Sequence, residues 1–385
     1  MEAVDERIEG DMRIGIDARL IHYSQAGIAQ YTTHLVKALA KIDRSNQYYL
    51  LQSRKETTPL VDAHNFARRG IWTPSHHSLE HYILGLEVAN LRLDVLHSPD
   101  FIPPKRNPLA KFKTVITVHD LAFLIYPHFL TKKAARYYGQ IDRAVRRANH
   151  IIAVSESTKA DLGRFLGVSD SKVTVIYEAA NPVYKPMPKE EAWKKANKLY
   201  PNLPRDFLLF VGTLEPRKNI PTLLDAYKIM RDSYKQDPVK LVLAGSPGWL
   251  FDGIFQKVQD LGLEGEVLFL GRVPTSALVA LYNAALALVH PAHYEGFGLP
   301  TLEAMACGTP VVTTNVSSLP EVVGDAALLV SPDDAEEMAV AMWRVISDER
   351  LRKTLSQKGL NRAKAFSWEK AAQETLEVYR KAAGM

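Results

Sequence analysis

Acids, glycines and prolines crowd into the stretch from His290 to Gly308, which reads HPAHYEGFGLPTLEAMACG. Gly296 and Gly298 lie in a loop, and Pro300 is a permitted first-turn residue of a helix. Uncovered amides at such a helix start can hold a phosphate. Glu295 falls in the loop and Glu303 in the helix, eight residues apart. The two acceptor oxygens of an ionised Glu suit the vicinal diol of a sugar or a ribose. Local physics alone equally allows both acids to cap or brace the helix. A second stretch, FVGTLEPRKN at 210–219, puts Gly212 after a run of strand formers and Arg217 and Lys218 just ahead of a helix. Two cations there can neutralise a diphosphate, including charge that develops on a leaving group; surface decoration is the competing reading.

The first half of the chain is sparser. Gly27 follows Ala26 at the opening of a helical pattern and lets backbone approach a phosphate, or simply makes a turn. His119 precedes Asp120 at a strand end, where the imidazole can hydrogen-bond a sugar while Asp120 fixes its tautomer; a structural His–Asp pair is the alternative. Ser155-Glu156 reads as a helix start. No Gly-rich loop ending in Gly-Lys-Ser/Thr occurs, and no G-x-G-x-x-G follows the first strand, which weakens ATPase and NAD-dependent readings. H-E-x-x-H spacing and D-x-D triplets are also missing, so no metal site is expected.

The elements that must position these residues alternate. Short apolar runs at 13–17, 48–51, 94–97, 114–118, 150–154 and 173–177 read as strands, separated by helical patterns at 28–41, 78–91, 132–148 and 156–166. The second half repeats this with strands at 207–211, 240–244, 267–270, 286–290, 310–313 and 327–330 and helices at 220–234, 251–261, 276–284, 302–306 and 335–346. Continuous apolar strands suit a parallel sheet covered on both faces, and the strand–helix recurrence points to α/β. Between the halves, NPVYKPMP at 181–188 suppresses helix and central strand and is the expected linker. A last helix, 368–381, can pack on either half. Sheets of this kind bind ligands beyond the carboxyl ends of their strands, so the loops named above are the expected site.

The chain has 385 residues, a net charge of +5 and a single cysteine, Cys307. The length suits two domains, and the weak positive charge gives no ground for nucleic-acid binding. One cysteine forms no intrachain disulfide, which suits a reducing cytoplasm. No apolar run is long enough to span a membrane. A basic segment at 131–150, with Lys132, Lys133, Arg136, Arg143, Arg146 and Arg147 beside Phe129, Tyr137 and Tyr138, can seat a protein on anionic lipid or be ordinary solvated surface.

The stretch EGFGLPTLEAMACGTPVV, from Glu295, resembles the E-x7-E region of the retaining glycosyltransferases of family 4, which have the GT-B fold: two Rossmann-like domains with parallel sheets facing across a cleft. The resemblance extends over nearly the whole chain, through GIDAR at 15–19, Ala26-Gly27, VHDL at 118–121, VSE at 154–156, GTLEPRKN at 212–219, LAG at 243–245, Gly271-Arg272 and LPEVVGDA at 319–326. It implies domains at 1–183 (acceptor side) and 184–367 (nucleotide-sugar side), with 368–385 crossing back to the first. By the same resemblance, Glu295 contacts the donor sugar, and Gly296, Phe297, Gly298 and Leu299 bring backbone to sugar and phosphate. Glu303 binds the donor ribose, Lys218 the diphosphate, with Gly212 and Thr213 in the same donor loop. His119 lies at the sugar side and Gly27 at the phosphates or acceptor. Many relatives have Gly-Arg where this chain has Gly212-Thr213, and Arg217 is the cation placed to compensate.

Similarity to bacterial mannosyltransferases of O-antigen and exopolysaccharide assembly, through GTLxPRKN and the SSLPEV segment at 317–322, implies GDP-mannose as donor, with UDP-glucose as runner-up. The expected acceptor is a saccharide or lipid-linked saccharide, the expected place the cytoplasm or the inner face of the plasma membrane. The resemblance offers no carboxylate nucleophile, which favours same-face substitution with the departing phosphate as base. A sugar-nucleotide epimerase and a non-catalytic nucleotide-sugar-binding protein are the rival readings.

Overall fold

The computed structural model describes residues 11–23, 27–76, 80–104, 111–129, 132–234, 239–248 and 252–385. Two compact units emerge, one made of 1–178 with 367–385 and the other of 179–366. Ala26, the helix start at 78 and residue 251 of the expected helices, and part of the segment at 131–150, lie outside the described residues.

The first unit contains β1 (Arg13–Asp17), β2 (Gln47–Ser53), β3 (Phe66–Ile71), β4 (Val95–Ser98), β5 (Lys113–Val118), β6 (His150–Ala153) and β7 (Val173–Val175). They form one parallel sheet in the order β3-β2-β1-β4-β5-β6-β7. The second contains β8 (Phe207–Val211), β9 (Lys240–Ala244), β10 (Val267–Gly271), β11 (Ala287–His290), β12 (Val311–Thr314) and β13 (Ala327–Val330), also parallel, in the order β10-β9-β8-β11-β12-β13. Both orders reverse direction beside the first strand, between β1 and β4 and between β8 and β11. That reversal is where the following loops part to leave a crevice.

Central strands are apolar on both faces because helices cover both: all five residues of β8 are buried. The core of the second unit joins Leu208, Phe210, Leu241 and Val289 from the sheet to Leu223, Leu224, Tyr227 and Met342 from the helices. Helix ends follow local chemistry. Ser155 accepts from the Thr158 N–H to start Glu156–Leu166, and Gly167, at φ 62°, ends it in the left-handed region.

The helix Trp368–Ala383 belongs to the first unit. Trp368 packs on Tyr31 and His34, and the buried Tyr379 hydroxyl lies 2.7 Å from His97 Nδ1. Across the same ring, His97 Nε2 meets Thr117 Oγ1 at 2.8 Å, and Tyr31 meets Thr117 at 3.1 Å. Burial pushes His97 down to about 3, so it is a neutral bridge between sheet and last helix.

Three expectations need correction. The segment 132–148 is not one helix but two, Lys132–Tyr138 and Ile141–Arg147, parted at Gly139-Gln140. Its aromatic residues turn inward: Tyr138 stacks on Phe123 at 4.5 Å and the Tyr137 hydroxyl donates to Asp100 at 2.6 Å. The helix expected at 302–306 begins at Leu299, with Gly298 at φ 93° before it and Pro300 in its first turn. A side chain at Gly298 would meet Leu319 at 2.8 Å, so glycine is required there.

Candidate functional site

The loops after β8 and β11, the two strands flanking the reversal in the second sheet, carry the residues singled out above. After Gly212, residues Pro216–Lys218 make one 3-10 turn, closed by Asn219 in the left-handed region at φ 56°. Asn219 then ties the two loops together, its amide donating to Pro291 O at 3.1 Å and Pro332 O at 2.7 Å. The neighbouring Gly245 is obligatory, since a Cβ there would overlap the Gly212 carbonyl.

This framework drives Arg217 and Lys218 against Glu295. Lys218 Nζ pairs with Glu295 Oε1, which also accepts from His290 Nε2 at 2.7 Å. Arg217 Nη1 reaches Glu295 Oε2 at 3.1 Å while its Nε lies 2.5 Å from Glu215 Oε1. Lys218 and Glu295 are each only 6% exposed. Burial alone would raise the Glu295 carboxyl, but the charges of Lys218 and Arg217 and the His290 bond outweigh it and hold the group well below the usual range. Lys218 is pulled down by burial and by Arg217, against the attraction of Glu295 and Glu215. Burial also lowers His290, so the neutral ring donates from Nε2 and leaves a buried Nδ1 without a partner among the described residues. Two cations and two carboxylates thus neutralise one another inside the crevice.

Two serines that motif reading gave no chemical role hold the Glu295 backbone. The Glu295 N–H donates to Ser317 Oγ and the Ser318 hydroxyl donates to Glu295 O, both at 2.9 Å. Ser317 sits at φ 50° to do so. Gly296 and Phe297 are buried, and the Phe297 ring packs edge-on against Phe366 at 5.8 Å. Leu299 is half-buried at the helix start, and Thr213 is exposed.

Glu303 stands apart from the ion cluster. The Tyr282 hydroxyl donates to its Oε2 at 2.9 Å, and burial pushes its carboxyl up to about 7 against the pull of Tyr282 and Tyr184. Tyr282 is fully buried and meets the Tyr184 ring edge-on at 5.6 Å. Neither tyrosine carries a motif, and only the fold reveals their connection to Glu303.

In the first unit, His119 follows β5 as expected, but Asp120 is not its partner. Asp120 caps the next turn, accepting from the Ala122 N–H at 3.1 Å. His119 Nδ1 instead meets Glu178 Oε1 at 3.0 Å and Nε2 meets the Pro99 carbonyl at 2.9 Å. Both partners are acceptors, so both ring nitrogens donate and the ring is cationic. Burial would lower this histidine; Glu178 and Pro99 outweigh it and raise it. Gly27 opens the helix Gly27–Ile42, exposed, with open space where a Cβ would stand.

Among the described residues no group of three or more His, Cys, Asp or Glu side chains is arranged to hold a metal, and no helix is long and apolar enough to cross a membrane.

Residues 191–362 match the model of group 1 glycosyl transferases, and residues 26–183 that of glycosyltransferase family 4. The O-antigen chain mannosyltransferase B of Escherichia coli is 31% identical over 386 residues, covering 96% of this chain and all of that protein. Among solved structures, sucrose-phosphate synthase from Thermosynechococcus elongatus superimposes with a TM-score of 0.75 at 23% identity, covering 96% of this chain and 98% of that one. HepE of Anabaena in complex with UDP-glucose superimposes with a TM-score of 0.73 at 20% identity, over 96% and 100% of the two chains. Two parallel Rossmann-like sheets and these likenesses together place the chain in family 4 of the GT-B glycosyltransferases, enzymes that move a hexose from a nucleotide sugar to a saccharide acceptor.

Proposed function

We propose that this enzyme is a retaining mannosyltransferase that takes mannose from GDP-mannose and adds it to a saccharide or lipid-linked saccharide. The observation that carries the donor choice is the likeness, along 96% of the chain, to a protein named as an O-antigen chain mannosyltransferase. UDP-glucose is the second reading, because a protein of the same fold is solved with that donor.

The ion cluster supports a division of labour. A diphosphate draws Arg217 and Lys218 toward itself, and Glu295, released from part of its pairing, turns acceptor oxygens to the donor sugar's hydroxyls. Glu303 takes the ribose diol, and the backbone from Gly296 to Leu299 meets the sugar and phosphates, with Gly212 and Thr213 lining the opposite loop. A carboxylate held low by two cations and a histidine is a poor nucleophile, which favours same-face substitution. The bond from the anomeric carbon to the phosphate oxygen breaks as the acceptor oxygen joins that carbon. The departing phosphate takes the acceptor's proton, and Arg217 and Lys218 stabilise the charge left on it. His119, both nitrogens engaged, holds the Pro99 and Glu178 segments together rather than offering a free nitrogen to the sugar. Gly27 is proposed at the phosphate or acceptor side.

The test is a panel of nucleotide sugars, with binding measured by calorimetry and release of nucleoside diphosphate followed with and without acceptor. GDP-mannose should give the highest kcat/KM. Preferential turnover of UDP-glucose would transfer the proposal to that donor, and interconversion of sugars without nucleotide release would replace it with an epimerase.

A further inference from the structure

The ion cluster at the ends of β8 and β11 has a member that the chemistry proposed above leaves idle. Glu215 Oε1 lies 2.5 Å from Arg217 Nε without the alignment of a hydrogen bond, so the hold is one of charge. The Glu215 side chain is 4% exposed and that of Arg217 23%, against 8% for Lys218 and Glu295. A ligand entering from solvent therefore meets Arg217, and Glu215 is the more deeply enclosed of the pair.

The loop pins Glu215 in place. The Leu214 N–H donates to Ser246 O and the Gly248 N–H to Leu214 O, and the Lys218 N–H closes back on Glu215 O, all at 3.0 Å. Gly248 packs so closely that a Cβ there would come within 2.7 Å of Leu214 O. The residues that follow Gly248, Trp249, Leu250 and Phe251, lie outside the described residues and carry no charge.

Charge counting gives this acid a task. Arg217 and Lys218 are matched by Glu215 and Glu295, and burial leaves His290 neutral. When a donor binds, Glu295 has sugar hydroxyls to turn to. Glu215 has no such alternative, and its charge stays with Arg217. The diphosphate of a nucleotide sugar is esterified at both ends and carries one negative charge on each phosphate. The nucleoside diphosphate left by transfer has a terminal phosphate that ionises again with a pKa of about 6, so above neutrality it carries one negative charge more than the donor. Two uncompensated cations would grip that product harder than the substrate and leave the site occupied after transfer.

We propose, resting on the transferase reading above, that Glu215 is a positioning residue that acts through Arg217: it keeps the diphosphate subsite close to electrical balance, so that the more highly charged product is released rather than retained. The test is calorimetry on the full-length enzyme at about pH 8, where the terminal phosphate is ionised, with GDP-mannose, GDP and inorganic pyrophosphate, or with UDP-glucose and UDP if the donor panel selects them. In the wild type the product should bind no more tightly than the donor, a comparison that stands even where a variant fails to fold. Glu215→Gln should move the ratio of the two Kd values about tenfold in favour of the product, the order expected for one unit charge felt about 10 Å away at an effective dielectric constant of about 20. Its kcat should fall more than its single-turnover rate, because release becomes limiting. Loss of a merely structural carboxylate would weaken both ligands and leave the ratio alone. Glu215→Asp keeps the charge and should keep the ratio, and with Arg217→Gln in place Glu215→Gln should move it far less. If no nucleotide is bound or turned over, the transferase reading fails, while pyrophosphate bound about tenfold more tightly by Glu215→Gln still upholds the restraint. A wild type that binds product tenfold more tightly than donor, an unaltered ratio in Glu215→Gln, an equal shift with Arg217 replaced, or no binding of any of the three ligands overturns it.

Discussion

The Glu303 carboxyl, pushed up to about 7 by burial against the pull of the Tyr282 and Tyr184 hydroxyls, ionises in the range where the enzyme can be assayed. A ribose diol binds the anion better than the acid, because only the anion offers both oxygens purely as acceptors. Ionisation climbs from about a tenth at pH 6 to about nine-tenths at pH 8, so donor affinity should tighten about tenfold, ~1.4 kcal/mol, over that interval and then level off. A nucleotide sugar is the right probe, since its diphosphate is esterified at both ends and titrates nowhere near neutrality. Tyr282→Phe removes a hydrogen bond that favours the anion, worth roughly 1.5 kcal/mol or more, and should move the midpoint up by about one pH unit. Glu303→Gln should flatten the profile. Calorimetric titrations at intervals from about pH 5.5 to 9 decide the matter: a flat profile in the wild type, or the same slope in Glu303→Gln, would refute the ribose contact. The linked cost has a definite sign. The folded protein keeps the Glu303 proton above its ordinary 4.5, so stability falls as pH rises from there to about 7 and is level beyond.

Lys218→Ala should lower kcat about 100- to 1000-fold, the range for removing a group that stabilises developing charge; an unaltered kcat removes Lys218 from the leaving-group role. His119, raised by Glu178, contributes stability that is complete below its ordinary 6.5 and lost as pH climbs through its higher folded value. Urea midpoints on either side of that interval should therefore differ more in the wild type than in Glu178→Gln, and identical pH responses would dissolve the pair. Tyr379→Phe leaves His97 Nδ1 without its bond and should cost about 1–2 kcal/mol, seen as a lower melting temperature; no change would mean the last helix is held by packing alone.

Strands rich in apolar residues, and helices bounded by clear turns, were legible. Strands Phe207–Val211, Lys240–Ala244 and Ala327–Val330 and helices Glu156–Leu166 and Ile220–Tyr234 have the bounds expected from composition and flanking turns. Strand Phe66–Ile71 was not, because it pairs on one side only and exposes Arg69 and Gly70, so its run lacks the apolar density of a central strand. Helix Lys189–Leu199 buries only Ala192 and Ala196 and hides behind a proline-rich lead. The acids and cations of the site could be read from their loops, but their pairing could not. Lys218 and Glu295 are 77 residues apart, His119 and Glu178 are 59 apart, and only the order of strands brings them together. Neighbouring position misled in one case, where Asp120 stands next to His119 in sequence yet serves the backbone of Ala122.

The placement of the last helix bears on how the protein is made. Its Trp368 and Tyr379 complete a core whose other walls are the first strands to leave the ribosome, so that body must wait for residues that emerge after 179–366. The middle of the chain, though its strands emerge later, has its full set of elements before the first unit receives its last helix, which reverses the usual order in which the amino-terminal part of a nascent protein settles first.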